Sequence, residues 1–411
     1  MSTFPRAGRL AAVTAALALV TAGCADDTDE AGGEADANTD EPIVIGGTLG
    51  LTGAYSGPSA AYMAAYEYWA DQVNEEGGLL GREVQLQIYD DESEADTAQQ
   101  LFQQLINEDD ADLLLAPYTT AVGGAVVPIT ERAGMILWDA GFVSQELHAN
   151  NEMLVTSWTY QEPDYPRPVF DYIESLPEGE RPSTVAVATA QNPFTLVARD
   201  GYEGEGGVLN HAENLGMDVV FNEEYNQSAS DLTELVQEAQ DSEAEVFIAL
   251  SLPNDGALMA QTVEQVGWEP ELYCQCGSQV VTLPNWEDLG EAGMGVLSTT
   301  MSWPGQPDRP GLDELFAHLQ DELDYEILPA YGAGGLAILQ VIQQAVEGVG
   351  SLDQEALREY VNENTFETAV GTLTYNEDGT TEYAAQLVQQ QEDGAQVVFP
   401  DDLATADLVR P

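Results

Sequence analysis

Thr119 and Thr120 stand where the apolar run Leu113-Leu114-Leu115-Ala116-Pro117 gives way to a helix expected from Ala121 to Ala133. A helix start leaves backbone N–H groups free and carries the positive end of the helix dipole. Two hydroxyls at such a point make a site for an anion, or for a carbonyl oxygen. Thr120 can cap the helix as well, since one residue can do both jobs. Tyr55 and Ser56 follow the first expected strand and bring two more hydroxyls. Gly141 and Phe142 follow the fourth and bring backbone groups with an aromatic wall.

Nothing else in the chain points to bond-breaking chemistry. The GxSxG nucleophile elbow is absent, as are HExxH, the P-loop and GxGxxG. His148, His211 and His318 are scattered, so no zinc-like cluster forms. Acidic pairs occur throughout and therefore say nothing about glycoside hydrolysis. No catalytic residue, metal or cofactor is expected. Cys274 and Cys276 have one residue between them, a separation at which a bridge would be strained, so two free thiols are expected.

The elements that must position these groups alternate. Ile43 opens a strand; a Gly-rich turn follows, with Pro58 in the first turn of a helix that Gly77-Gly78 stops. Strands are read at Val84–Tyr89, Asp112–Ala116 and Met135–Trp138, with helices between them. The pattern returns from Thr184: a strand, a Gly-rich helix ending near Leu215-Gly216, a strand at Val219–Tyr225, a helix, and a strand at Val246–Leu250. Residues 84–117 and 219–253 share one layout of strand, acidic loop, helix and apolar strand ending in proline. Such alternation predicts an α/β fold of two similar parallel-sheet lobes. A long helix over Pro329–Glu347 precedes a hairpin at Gly371–Gly379, turning at Asn376–Gly379. It is not an EF-hand loop, whose first ligand would fall on Thr374.

The 411 residues carry 73 Asp and Glu against ten basic residues, and all ten are arginine. With 44% hydrophobic residues the chain can still bury a large core. A net charge of −63 excludes nucleic acid and anionic membrane surfaces as partners. A lysine-free acidic surface is favoured in concentrated brine, where a Debye length of about 3 Å screens its repulsion. Arg6 and Arg9 precede an apolar stretch, Leu10 to Val20, too short to span a bilayer. Thr21-Ala22-Gly23-Cys24 resembles a lipoprotein cleavage site, so residues 1–23 read as a signal peptide and Cys24 as the lipidated residue. Residues 24–42 then read as an acidic flexible tether.

The body resembles the type I periplasmic binding proteins, specifically the branched-chain amino acid and amide receptors of ABC importers. The resemblance lies in Leu51-Thr52-Gly53, Asn74 to Arg82, Tyr89-Asp90-Asp91, Ala116-Pro117-Tyr118-Thr119-Thr120 and the Gly371–Gly379 hairpin. It implies two Rossmann-like lobes joined by three hinge crossings, near Thr156–Thr159, Ser298–Ser302 and Tyr383–Leu387. Lobe 1 would be 43–157 plus 301–382, and lobe 2 158–300 plus 383–411. The lobes would close over a ligand at the strand ends.

By the same resemblance the ligand set is Tyr55, Ser56, Tyr118, Thr119, Thr120, Gly141, Phe142, Phe194, Leu252 and Cys276. Val143 stands where relatives often carry threonine, with Ser144 as a substitute hydroxyl. Cys276 stands where amino-acid-binding relatives place a glutamate for the ligand's ammonium, leaving Asp139 as the candidate counter-charge. Trp158 and Tyr160 flank the first crossing and either line the cleft or pack the core. The implied protein is an extracytoplasmic, lipid-anchored monomer that serves an ABC permease and its ATPase, with a ligand sensor for a membrane receptor or an amide-processing enzyme as the alternatives.

Overall fold

Strands of three to eight residues, the central ones built from apolar runs, alternate with helices that cover the resulting sheets. The computed structural model describes residues 41–410 except Ser228, Ser278, Pro284, Asn285 and Asp324. The leader, Cys24 and nearly all of the tether lie outside the described residues. The chain runs β1 (Ile43–Leu49), α1 (Ser56–Glu75), β2 (Val84–Asp90), α2 (Ala95–Asn107), β3 (Leu113–Leu115), α3 (Thr120–Ala133), β4 (Leu137–Asp139), α4 (Gln145–Ala149) and β5 (Leu154–Thr156). It continues with α5 (Arg167–Ser175), β6 (Thr184–Ala190), α6 (Pro193–Asp200), α7 (Gly207–Leu215), β7 (Asp218–Tyr225), α8 (Thr233–Asp241), β8 (Val246–Leu250), α9 (Pro253–Val266), β9 (Leu272–Cys274) and β10 (Leu297–Thr300). Then come α10 (Leu312–Leu323), α11 (Ala330–Val349), α12 (Gln354–Glu363) and the strands β11 (Thr365–Thr368), β12 (Gly371–Thr374), β13 (Gln386–Gln391) and β14 (Gly394–Phe399).

The first sheet has the order β2-β1-β3-β4-β5, all parallel. The second repeats it as β7-β6-β8-β9-β10, and β13 and β14 are added antiparallel beyond β10. The repeat read between residues 84–117 and 219–253 is thus the β2-α2-β3 and β7-α8-β8 units at matching places in two sheets. Strand order reverses between β1 and β3 and again between β6 and β8, which makes a ligand crevice at the carboxyl ends of each sheet.

Glycines end the helices where expected. Gly78 donates to the Val73 carbonyl at 2.8 Å, with φ +78°, and a Cβ there would lie 1.8 Å from the Arg82 carbonyl. One element differs from expectation. The Gly-rich helix after β6 is two helices, because Gly201, Gly204 and Gly206 take positive φ and fold the chain back between them. The expected hairpin turn forms, with the Gly379 amide on the Asn376 carbonyl at 2.9 Å.

Three chain segments link the sheets, and they are tied to one another. The Ala384 amide donates to the Thr159 carbonyl at 2.9 Å, Thr381 Oγ1 to the Trp158 carbonyl at 2.7 Å, and Gln386 Nε2 to the Met301 carbonyl at 3.1 Å. Helix α11 has fourteen of its twenty residues buried, more than one helical face. Its Gly335 lets α1 close in: a Cβ there would sit 3.1 Å from the rings of Tyr62 and Tyr66. No helix among the described residues is long and apolar enough to cross a membrane.

Candidate functional site

The loops at the strand ends surround an inner chamber with about 420 Å³ of empty space, part of it open to solvent. From the first sheet come Tyr118, Thr119 and Thr120 after β3, and Gly141, Phe142 and Val143 after β4. From the second come Asn192 and Phe194 after β6, Leu252 after β8 and Gly277 after β9. Trp158 and Tyr165 line it from the first crossing, and Tyr331 from α11. The aromatic walls are buried, Tyr118 at 8% and Phe142 at 1% exposure.

Thr119 is the cap of α3. Its Oγ1 accepts the Val122 amide at 3.4 Å and its own amide donates to the Gly141 carbonyl at 2.9 Å. It holds φ at +78°, a costly conformation for a β-branched residue and one that concentrates at binding sites. The next amides, of Thr120 and Ala121, have no intrahelical acceptor. Thr120 Oγ1 is buried and, among the described residues, has no hydrogen-bond partner. An unpaired buried hydroxyl beside free amides at a helix start is a receptor for an oxygen anion.

The opposite wall of the anion site is fixed by close packing. A Cβ on Gly141 would lie 2.1 Å from the Pro117 carbonyl, and one on Gly123 would lie 2.3 Å from the Phe142 ring. Asp139 holds this loop from behind, with Oδ1 accepting the amides of Gly141 at 2.8 Å and Phe142 at 2.9 Å. Its Oδ2 faces His148 Nε2 at 3.5 Å, and both side chains are fully buried. Burial raises the Asp139 pKa. Asp139 therefore faces away from the chamber, which corrects its reading as a counter-charge for the ligand. No charged side chain lines the inner chamber among the described residues. Burial also raises the Tyr118 and Tyr331 phenols, so both stay neutral hydroxyls, 3.4 Å apart.

The expected residues divide. Tyr118, Thr119, Thr120, Gly141, Phe142, Phe194 and Leu252 come together. Tyr55 instead lines an outer chamber beyond Leu252, with its ring 5.5 Å from that of Tyr118, and Ser56 is exposed on the first turn of α1. Val143 lines the wall, whereas Ser144 caps α4 by accepting the Leu147 amide at 3.4 Å. Trp158 is a wall residue; Tyr160 packs behind it, its hydroxyl 2.5 Å from Gln279 Nε2.

Cys276 is buried in the core of the second lobe, and its neighbour Gly277 takes the wall position. Cys276 is also not a free thiol. Cys274 and Cys276 form a disulfide, correcting the expectation of two thiols. The chain turns after β9 and brings their Cα atoms to 5.2 Å, against about 7 Å for two extended residues.

Tyr331, Tyr165 and Asn192 were not foreseen. The signal for Asn192 was available, since Asn-Pro after a strand marks a helix cap, and its Oδ1 accepts the Phe194 amide at 3.0 Å. For Tyr331 the hint was the run of small residues behind it, Gly332-Ala333-Gly334-Gly335, which permits close approach to other chain segments.

The fold is shared with known proteins. A leucine-, isoleucine-, valine-, threonine- and alanine-binding protein of Pseudomonas aeruginosa is 24% identical over 344 residues, 80% of this chain and 86% of the relative. The branched-chain amino acid transporter substrate-binding protein of Streptococcus pneumoniae, solved with isoleucine, superposes with TM-score 0.74 at 13% identity, covering 90% of this chain and all of that one. A solute-binding protein of R. palustris, solved with 4-hydroxybenzoate, gives TM-score 0.75 at 16% identity, covering 90% and 98%. These structural likenesses show the type I fold. The periplasmic binding protein profile matches residues 42–395, from the start of β1 into β14. The chain belongs to the periplasmic binding protein family.

Proposed function

We propose that the protein captures a small carboxylate or amide with an apolar or aromatic body, closes its lobes over it and delivers it to an ABC permease. The observation that carries the reading is Thr120 Oγ1, buried and unpaired beside the first amides of α3, in a chamber walled by six aromatic rings. A carboxylate there completes the hydroxyl and the helix end together. The remaining walls offer no partner for a charge, so a buried ammonium beside that carboxylate would cost several kcal/mol. Of the solved relatives, the one holding 4-hydroxybenzoate has the ligand type this chamber suits better than isoleucine. Cys24 is the proposed lipid anchor, residues 1–23 its signal peptide and residues 24–42 the tether holding the body at the outer face of the membrane. The proposed lobes are 43–157 with 301–382 and 158–300 with 383–411.

The test is titration calorimetry in molar salt with benzoate, 4-hydroxybenzoate and leucine. The aromatic acids should bind at least as tightly as leucine, and Thr120→Ala should weaken them tenfold or more, as loss of a hydrogen bond to a charged group does. Leucine tenfold tighter than both acids, or a Thr120→Ala variant with unchanged affinity, would overturn the reading. Uptake by reconstituted permease and ATPase separates an importer from a sensor.

A further inference from the structure

The two lobes repeat each other, yet their equivalent helix starts are built with opposite electrical sense. Helices α3 and α9 follow the equivalent strands β3 and β8. In α3 the cap is Thr119 and the third residue, Val122, only donates its amide. In α9 the cap is Leu252 and the third residue is Asp255, whose Oδ1 reaches back to the Leu252 amide at 3.0 Å. Its first residue is Pro253, which has no N–H to give. Lobe 1 thus presents donors to the cleft, and lobe 2 presents a carboxylate.

That carboxylate is placed to meet something. Asp255 is 4% exposed and lines the outer chamber, about 680 Å³ of empty space partly open to solvent. Ala54 and Tyr55 of the first lobe face Gln227, Ala229 and Leu258 of the second across it. Leu252 lines both chambers and is the partition between them. Asp255 Oδ2 accepts the Tyr225 hydroxyl at 2.6 Å and the carboxylate also takes its own backbone amide, so three acceptor positions are used of the about four a carboxylate has. Burial pushes its pKa up to about 6, which leaves it ionised at neutral pH. The whole molecule bears −63 and repels a simple anion, whereas a ligand with a cationic end escapes that repulsion.

We propose that the outer chamber is the subsite for an ammonium group, so that the full ligand is an ω-amino carboxylate: carboxylate at Thr120, apolar body past Leu252, amine against Asp255. An α-amino acid cannot use it, because its ammonium sits beside its carboxylate, where the inner chamber has no acid. The proposal rests on the carboxylate reading above.

The experiment is calorimetry with benzoate and 4-(aminomethyl)benzoate on the full chain. The amine should bind at least tenfold tighter. Asp255→Asn, which keeps Oδ1 as acceptor for the Leu252 amide and turns its NH2 to the Tyr225 hydroxyl oxygen, should remove that difference while benzoate affinity changes less than twofold. Ala229→Phe, which crowds the outer chamber alone, should do the same if Asp255→Asn fails to fold. Benzoate binding that Thr120→Ala weakens, with no gain from the amine, would overturn the outer subsite and leave the carboxylate reading standing. A tenfold gain that survives in Asp255→Asn would remove Asp255 from it. Binding of neither probe would overturn both.

Discussion

Two carboxyls and one imidazole are buried around the inner chamber without lining it: Asp139, Glu162 and His148. Glu162 ties the first crossing to the wall, its amide on the Val143 carbonyl at 3.0 Å and its Oε2 accepting the Gln145 amide at 2.6 Å. Burial pushes its pKa up to about 8 from 4.5. A carboxyl raised on folding is bound to its proton more tightly in the folded state. Its stabilising effect is full below about pH 4.5 and is lost as pH rises to about 8. Glu162→Gln should therefore match the wild type near pH 4.5 and exceed it at pH 9 by on the order of a few kcal/mol. Urea midpoints across pH decide this; parallel profiles for the two proteins would refute it. Residues such as Thr119 and Thr120 were legible because a strand-to-helix transition is local in sequence. Tyr331 was not, since 213 positions separate it from Tyr118, whose hydroxyl it meets. Cys276 shows a third case: resemblance located the right loop, but only the backbone turn after β9 decides which side chain enters the wall.

At the scale of elements, the site is a set of loops pressed onto strand ends, and small residues mark the contacts. Gly141→Ala would put a methyl carbon 2.1 Å from the Pro117 carbonyl, so the loop between β4 and α4 must move off the α3 start. Overpacking of this kind costs about 1–3 kcal/mol. It should also weaken benzoate tenfold or more, since the Thr119 amide loses its acceptor at Gly141. Unchanged affinity in a stable Gly141→Ala protein would show that the loop has no part in the site. Element types were readable from β1 to β4 and from β6 to β8, where apolar strands alternate with periodic helices. The split of α6 from α7 was missed, as glycines score alike in a helix interior and in a turn until their φ is known. The second-sheet additions β13 and β14 escape sequence reasoning for another reason. Their antiparallel pairing with β10 depends on a crossing that brings distant segments side by side.

At the scale of the molecule, the surface charge sets the conditions under which the fold is stable. The chain's net −63 is repulsive in dilute buffer and screened in molar salt. Raising NaCl from about 0.1 to 2 M should raise Tm by roughly 10 °C, equal to about 8 kcal/mol for a chain of this size. A flat profile in scanning calorimetry would remove the brine reading. The buried helix α11 has a different consequence, one of timing. The first sheet is complete by Thr156, but the helix that covers its aromatic face against α1 begins at Ala330. Trp69 Nε1 waits for Gln343 Oε1, and Ser157 Oγ for the Gly334 carbonyl, 274 and 177 residues downstream. Synthesis from the N-terminus therefore leaves Tyr62, Tyr66 and Trp69 wet until four-fifths of the polypeptide exists. Loop closure over such separations is slow, and the half-covered lobe is the species most exposed to self-association.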